Sequence, residues 1–583
     1  MKRTHTCGEL SKRNLNEKVV LNGWIERIRD LGGIKFLLLR DRYGFTQIVI
    51  DPDYDKDLYE RANELGNEFS LQVNGTVRIR PEEAINKNML TGEIEVLAQD
   101  FTIFSVSEIP PIYINTEEDE ASEDLRLKYR YLDLRRKKVQ KNIILRHKVA
   151  QVMRKYLNEK EFIEIETPVL GKTTPEGARD FLVPSRMKKG NYYALPQSPQ
   201  LYKQLLMVSG FDRYYQIVKC FRDEDFRADR QPEFTQLDLE MSFVDQEDIF
   251  ELIEGLFVDI FNNVLNSDIK LPFNRMTYES AIKNYGSDKP DTRYGMKFHD
   301  LTVYFENSSP EFIRKSIESG KRITGFIANN LSSYYSRKKI DEITNYFKEL
   351  GMDGLIWIKG GNQIKSSILK ICPDEVNKIS NDFYLNDGDI FFLSIGDGYD
   401  YFKKVGKLRE KVIKDNSLKA EGYDIHWITD FPMFNYNSDD KRYEAEHHPF
   451  TMPDLGDLKK YFPDNIEKIK STSYDLVLNG YELASGSVRI HNKDIQNKIF
   501  EIIGIDEKEA NEKFGFLLEA FKYGPPPHAG IAIGFDRLIS IFANVNSIRD
   551  VIAFPKVASG ADLMTGAPSE PSGVQLNELG IKK

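Results

Sequence analysis

A chain of 583 residues is too long for one hydrophobic core and predicts three or four domains. Its 40% hydrophobic, 30% charged and 12% aromatic content is that of an ordinary globular protein, and no run approaches the roughly 18 apolar residues of a membrane helix, so no membrane partner is expected. The opening MKRTHTCGELSKRNLNEKVV has no apolar signal core, and Cys7, Cys220 and Cys372 are too scattered for a disulfide framework or a zinc cluster, so a cytoplasmic, reduced setting is expected.

The net charge of −10 argues against a nucleic-acid partner, since phosphate binding is driven by Lys and Arg. Local charge matters more than the sum. Residues 1–50 hold ten Lys/Arg against five Asp/Glu, a surplus of +5 that leaves the rest of the chain at −15. That basic end is either an RNA-binding face or a solvated one.

In chain order, short β-type runs at Val19–Ile25, Ile34–Arg40, Thr46–Ile50, Ser70–Ile79 and Glu93–Leu97 are separated by turn residues such as Gly32-Gly33 and Tyr43-Gly44. Five such strands predict a small Greek-key barrel over residues 1–105. Residues 106–135 begin Pro-rich, turn acidic and read as a linker. A helix is predicted over 138–160, with Leu145, Val149, Val152, Met153 and Tyr156 in one stripe, followed by a short strand at Phe162, Ile163 and Ile165 that Pro168 ends. Two stretches that alternate short apolar runs with charged ones, within 136–284 and 421–555, flank a block at 285–420 with its own character. That block is expected to be an inserted domain, helical and Lys-rich over Pro310–Leu350 with strands at Leu355–Lys359 and Asp389–Ile395. Residues 556–583 form a C-terminal extension.

Chemistry concentrates in two places. CFRDEDFRADRQPEFTQLDLEMSF, residues 220–243, reads as a hairpin whose loop mixes Arg222, Arg227 and Arg230 with seven carboxylates. It is either a salt-bridged surface loop or one whose charges are met by a phosphate-bearing ligand. HAGIAIGFDRLISIF, residues 528–542, places Gly534 before Asp536-Arg537. Glycine permits close approach to a ligand and arginine can grip a phosphate, though a buried strand, turn and helix would read alike.

Together these stretches resemble the class II aminoacyl-tRNA synthetases: EIETPVL their first motif, FRDED with RQPEFTQLD their second, GIAIGFDRL their third. TPEGARDFLVPSR, LPQSPQLYKQLL, GYELASGSVRIH and AFPKVASGADLMTGAPS resemble the bacterial aspartyl-tRNA synthetases in particular, and YGSDKPDTRYG sits where that family begins its inserted domain. The resemblance covers nearly the whole chain in order. It implies a multidomain α+β protein: an N-terminal OB-fold that binds the anticodon, a catalytic domain on an antiparallel sheet, and an inserted α+β domain.

It also implies a reaction: aspartate is activated with ATP and magnesium, pyrophosphate is released, and aspartate is transferred to the 3′-terminal adenosine of tRNA(Asp). Because the attacking carboxylate is already an anion, no general base is needed, and catalysis is positioning and charge stabilisation. By the same resemblance Arg222 bridges the substrate carboxylate and the α-phosphate. Asp223, Glu224 and Gln231 help hold ATP, Arg537 clamps the far phosphates, and the backbone of Gly534, Phe535 and Asp536 lies beside adenosine. Asp475 and Glu482 hold magnesium, which favours carboxylate oxygens and substrate phosphates. Lys203 and Arg489 meet the aspartate side chain, Gln200 and Asp238 its amino group. Glu176 closes over it, and His447 lies beside the pocket. Phe36 and Gln47, with Arg29, read the anticodon by stacking and base-edge hydrogen bonds. Pro168 lies in a homodimer interface, and Leu31 resembles the kind that excludes tRNA(Asn). Rival readings are asparaginyl- or lysyl-tRNA synthetase, an asparagine-synthetase-like amidation enzyme, and an RNA-binding module with a retired catalytic domain.

Overall fold

The computed structural model describes residues 2–115, 121–173, 178–224 and 229–582. The chain divides into two compact units, residues 1–141 with 562–567, and residues 142–561 with 568–583.

In the first unit, strands β1 (Lys18–Leu31), β2 (Ile34–Arg40), β3 (Phe45–Ile50), β4 (Ser70–Ile79) and β5 (Ile94–Ser105) close a barrel in the order β1-β2-β3-β5-β4. The period of two decides its inside: Val19, Leu21, Ile25, Leu37, Leu39, Val73 and Val96 fill the core. β1 and β5 run longer than their apolar stretches, because polar residues on an outer face are no obstacle to pairing. Residues 106–135, expected as a linker, contain helices at Glu123–Lys128 and Arg130–Asp133, where Asp133 is buried between Arg130 and Arg136.

The second unit is built on an eight-stranded, mainly antiparallel sheet. Its strands are β6 (Ile163–Glu164), β7 (Arg213–Phe221), β8 (Glu233–Ser242), β9 (Asn274–Thr277), β10 (Ile425–Thr429), β11 (Ser473–Leu478), β12 (Tyr481–Val488) and β13 (His528–Gly534), in the order β9-β10-β11-β12-β13-β8-β7-β6. Helices α1 (Lys137–Glu159) and α3 (Gln246–Ile260) cover one face, where Val149, Met153 and Leu157 meet Ile249, Ile253, Leu237, Leu239, Ile531 and Ile533. The other face carries the polar residues of the same strands. Helix α2 (Gln200–Val208) packs against that side of β8, and α4 (Phe535–Phe542) follows β13.

Residues 285–420 carry a five-stranded sheet of their own, including Arg322–Ala328, Ile356–Lys359 and Ile390–Gly396. The expected helical block over Pro310–Leu350 is corrected here: helices Glu311–Glu318 and Arg337–Glu349 are interrupted by the strand Arg322–Ala328. RITGFIA is buried on both sides, so it lacks the alternation that marks a half-exposed strand.

Candidate active site

The polar face of the sheet forms the floor of a cleft of about 710 Å³. Alternation builds it. On β8, Leu237 and Leu239 point into the core, while Phe234, Gln236 and Asp238 point into the cleft, with Glu240 next in line. Opposite, β13 alternates Ile531 and Ile533 in the core with Gly530, Ala532 and Gly534 on the cleft side, in register with Glu240, Asp238 and Gln236. Small residues on that side leave the volume open. At Gly530 an added Cβ would lie 2.3 Å from the Leu239 carbonyl oxygen and 1.9 Å from Glu240 Oε2, so a side chain there would force the backbone to move.

At the inner end, Lys203 from α2 and Arg489 beyond β12 are buried with Asp238 and Glu240. Lys203 Nζ lies 2.7 Å from Asp238 Oδ1 and 3.2 Å from Glu240 Oε2. Arg489 holds Glu240 with both arms of its fork, at 2.9 and 3.2 Å, and also donates to Ser487 Oγ and to His448 Nε2 at 2.8 Å. Burial alone would raise the Glu240 carboxyl, but Arg489 and Lys203 outweigh it and hold it at about 2. Burial pushes Asp238 up against the pull of Lys203, and burial with Arg489 drives His448 far below its usual range, so it is neutral. Asp238 Oδ2 and Gln200 Nε2 are buried without a hydrogen-bond partner.

At the outer end, Asn479 and Gly480, with φ of 52° and 79°, make the two-residue turn that joins β11 to β12. The hairpin brings Asp475 and Glu482 onto one surface. Burial and then the nearby Asp475 raise the Glu482 carboxyl, and Lys289 and Arg537 oppose the rise. Asp475 Oδ1 is buried without a hydrogen bond, 3.7 Å from His447 Nε2. Two close carboxylates, one with an unsatisfied oxygen, fit a divalent cation. Lys289 Nζ lies 3.5 Å from Glu482 Oε2. Arg537 donates to the Glu482 carbonyl and lies 3.8 Å from Asp229. Arg222 stands between the ends at the β7–β8 turn, its guanidinium 5.0 Å over the Phe234 ring and its Nε buried without a hydrogen bond.

Most residues expected from the sequence converge here: Gln200, Lys203, Arg222, Glu224, Gln231, Asp238, His447, Glu482, Arg489, Gly534, Asp536 and Arg537 all line the cleft. Some present differently from their expected roles. Gln231 spends both ends of its amide on the Lys556 backbone, at 3.0 and 2.8 Å. Asp536 accepts from Arg146 and, at 2.6 Å, from the Thr235 amide, and Phe535 packs in the core, so only their backbone is free for a ligand. Asp223 pairs its backbone with Arg179 and is not among the lining residues. Glu176 lies outside the described residues. Glu240, His448 and Lys289 line or border the cleft without having been expected there from the sequence. Glu240 could have been found, since it follows Asp238 by two on an alternating strand and must share its face.

In the barrel, Phe36 stays outside the core, half-buried on the outer face, where it pairs in register with exposed Arg29. On the same face Gln47 donates to Glu95 at 2.8 Å, and Arg78 donates to Glu95 at 2.7 Å. Leu31 is 60% exposed at the β1–β2 turn. Pro168 is exposed, as are its neighbours Val169 and Leu170.

Residues 122–558 match the family model of the tRNA synthetases class II (D, K and N), and residues 19–104 match that of the OB-fold nucleic acid binding domain. An aspartate–tRNA ligase of Thermosipho africanus is 53% identical over 587 residues, covering 100% of this chain and 98% of its own. An aspartate–tRNA(Asp/Asn) ligase of Thermotoga neapolitana is 51% identical over 584 residues, covering 100% and 99%. The crystal structure of asparaginyl-tRNA synthetase from Pyrococcus horikoshii complexed with asparaginyl-adenylate has the same fold, with a TM-score of 0.60 at 20% identity over 95% of this chain and 98% of that one. By the extent of these matches, the chain belongs to the class II tRNA synthetases of the D, K and N group, among the aspartate–tRNA ligases.

Proposed function

We propose that the chain joins L-aspartate to tRNA(Asp) in two steps. An α-carboxylate oxygen of aspartate attacks the α-phosphorus of ATP, the bond to the bridging oxygen breaks, and its electron pair leaves on pyrophosphate. A hydroxyl of the 3′-terminal adenosine of the tRNA then displaces AMP from the aspartyl carbon. The observation that carries this reading is the inner end of the cleft. Asp238 Oδ2 is left to accept from an ammonium, while Gln200 Nε2, Lys203 and Arg489 keep unused donors for carboxylate oxygens. Arg222, which lines the cleft, takes the charge of both the carboxylate and the α-phosphate. Glu176 and His447 complete the aspartate pocket.

ATP lies along the outer cleft, with Glu224 among the residues that hold it, the Gly534–Asp536 backbone at the adenosine, and Arg537 on the far phosphates. Asp475 and Glu482 hold magnesium, which when bound neutralises phosphate charge. On the barrel, Phe36 stacks on an unstacked anticodon base and Gln47 reads its edge, with Arg29 on the RNA backbone. The exposed apolar residues around Pro168 support a homodimer, and the setting is cytoplasmic.

Charging of tRNA(Asn) as well is the second reading, favoured by the name of the Thermotoga neapolitana relative. Leu31 on the barrel favours tRNA(Asp) alone.

ATP–pyrophosphate exchange with magnesium and aspartate, asparagine or lysine in turn tests the reaction: exchange with aspartate alone is expected, and none with any of the three sinks it. Phe36→Ala should lower charging of tRNA(Asp) by about tenfold or more while sparing exchange, because one stacked base contributes about 1–3 kcal/mol. Equal damage to both would remove Phe36 from the anticodon site.

A further inference from the structure

The segment Gly286–Gly295, which leads into the inserted block, is fastened to the catalytic hairpin. Thr292 donates to Asp424 Oδ2 from its amide at 2.6 Å and from its hydroxyl at 2.9 Å. Asp424 in turn takes Asn479, in the β11–β12 turn, through two hydrogen bonds at 2.8 and 2.9 Å. From the inserted block, buried Arg409 donates to the carbonyls of Asp291 and Gly295 at 2.6 and 3.0 Å. Asp291 also lies so close to Gly480 that an added Cβ there would meet its side chain at 3.0 Å. The segment is therefore registered to the turn that precedes Glu482 by two residues.

What it delivers to the cleft is Lys289. Its ammonium lies 3.5 Å from Glu482 Oε2 and 3.8 Å from Asp288 Oδ2, and its side chain is 43% exposed. The contact with Glu482 is a long hydrogen bond and that with Asp288 an ion pair, both longer than the roughly 2.7–2.9 Å of a close charge-assisted bond, so the ammonium can exchange them for another anion. The other cations lining the cleft among the described residues stand elsewhere along it. Lys203 and Arg489 belong to the inner cluster, Arg222 stands at the midpoint, Arg230 pairs with Glu224 at 3.1 Å, and Arg537 is drawn toward Asp229. A triphosphate laid between Arg537 and the carboxylate hairpin has Lys289 as its neighbour on the hairpin side.

Resting on the function proposed above, we propose that Lys289 binds the two phosphates that leave as pyrophosphate, giving up Glu482 for their oxygens when nucleotide enters. Negative charge grows on those oxygens as the bond to the α-phosphorus breaks, so a cation there favours the departing group more than intact ATP. The inserted block then has a part in catalysis, because Arg409 holds the segment that carries the lysine.

The test uses full-length protein as wild type, Lys289→Met and Lys289→Arg. Affinity for inorganic pyrophosphate with magnesium, and separately for aspartate, is measured by calorimetry, alongside thermal unfolding and the pyrophosphate dependence of exchange. Lys289→Met should weaken pyrophosphate binding about tenfold and raise its KM in exchange by a similar factor, with aspartate affinity and Tm unchanged and the arginine variant recovering most of the loss. Wild-type pyrophosphate affinity in Lys289→Met overturns the proposal. So does equal weakening of aspartate with a lowered Tm, which would make Lys289 a structural tether. The binding measurement needs no turnover, so a wild type that fails to exchange with aspartate would overturn the proposed function and still leave Lys289 decided.

Discussion

At the inner end of the cleft, Lys203, Asp238, Glu240 and Arg489 are each no more than 2% exposed, and their charges cancel before any ligand arrives. At the outer end, Asp475 and Glu482 lie on one hairpin with an oxygen of Asp475 unsatisfied, and Lys289 stands 3.5 Å from the Glu482 carboxylate. The inner end is preorganised: every charge is fixed by a partner, and a ligand finds its donors already aimed. The outer end is incomplete and gains its balance from what binds. The contrast bears on how such a site would tell aspartate from asparagine. Lys203 and Arg489 would not be stranded without a counter-charge, since Asp238 and Glu240 supply one. The distinction would rest on direction: the hydrogens left on Lys203 and Arg489 suit a carboxylate, whereas an amide can turn its own NH₂ toward them.

The largest effect should follow from breaking the inner network. Glu240→Gln removes one of two buried counter-charges and should cost about 3–5 kcal/mol of stability near neutral pH, read from denaturant unfolding. The pH dependence has a definite sign. A carboxyl held at about 2 in the fold, against 4.5 unfolded, contributes stability that is present above 4.5 and lost as the pH falls toward 2. The gap between wild type and variant should therefore narrow over that window. A variant as stable as wild type at pH 7 would mean the inner charges are not the fixed network described here.

Arg222→Ala tests the point between the two ends. Its guanidinium stacks on Phe234 and makes no hydrogen bond through Nε, so the fold depends on it little. Aspartate-dependent exchange should fall by about 100- to 1000-fold with unfolding nearly unchanged, as for a donor whose charge is used in the transition state. A fall of less than about tenfold would remove it from that role.

How much of this was legible in the sequence follows the same division. The alternation of QLDLEM and of HAGIAIG states which residues face the cleft, because a strand has only two faces. It does not state that Glu240 pairs with Arg489, since those residues are 249 apart in the chain and meet only once the strand order sets β13 between β8 and β12. Lys289 was invisible for a similar reason. It lies in a turn-rich segment without periodicity, and its place is set by Thr292, Asp424 and Asn479, which belong to three separate stretches. In the barrel, alternation alone separates Phe36 from inward-facing Leu37 and Leu39, and composition would have put all three inside. The strand Arg322–Ala328 escaped because burial on both faces removes the alternation that would have announced it.

The smallest effect belongs to the outer end and should have the opposite sign to the first. Burial and Asp475 raise the Glu482 carboxyl, so its charge opposes folding in the ligand-free chain, and that penalty is relieved as the pH falls through its raised pKa. Glu482→Gln abolishes the charge at every pH. Because the side chain is 42% exposed, solvent screens most of the effect, and ligand-free stability near neutral pH should rise by only about a few tenths of a kcal/mol. Function should move the other way. With one of its two carboxylates gone, the hairpin should need at least about tenfold more magnesium to support exchange. A loss of stability comparable to that of Glu240→Gln would show that the outer carboxylate is a structural partner of Lys289 and Arg537, and the contrast between the two ends would fail. A gain or no change in stability, together with a shifted magnesium requirement, would mean that the outer carboxylates bear a charge cost in the empty protein that the bound ion relieves.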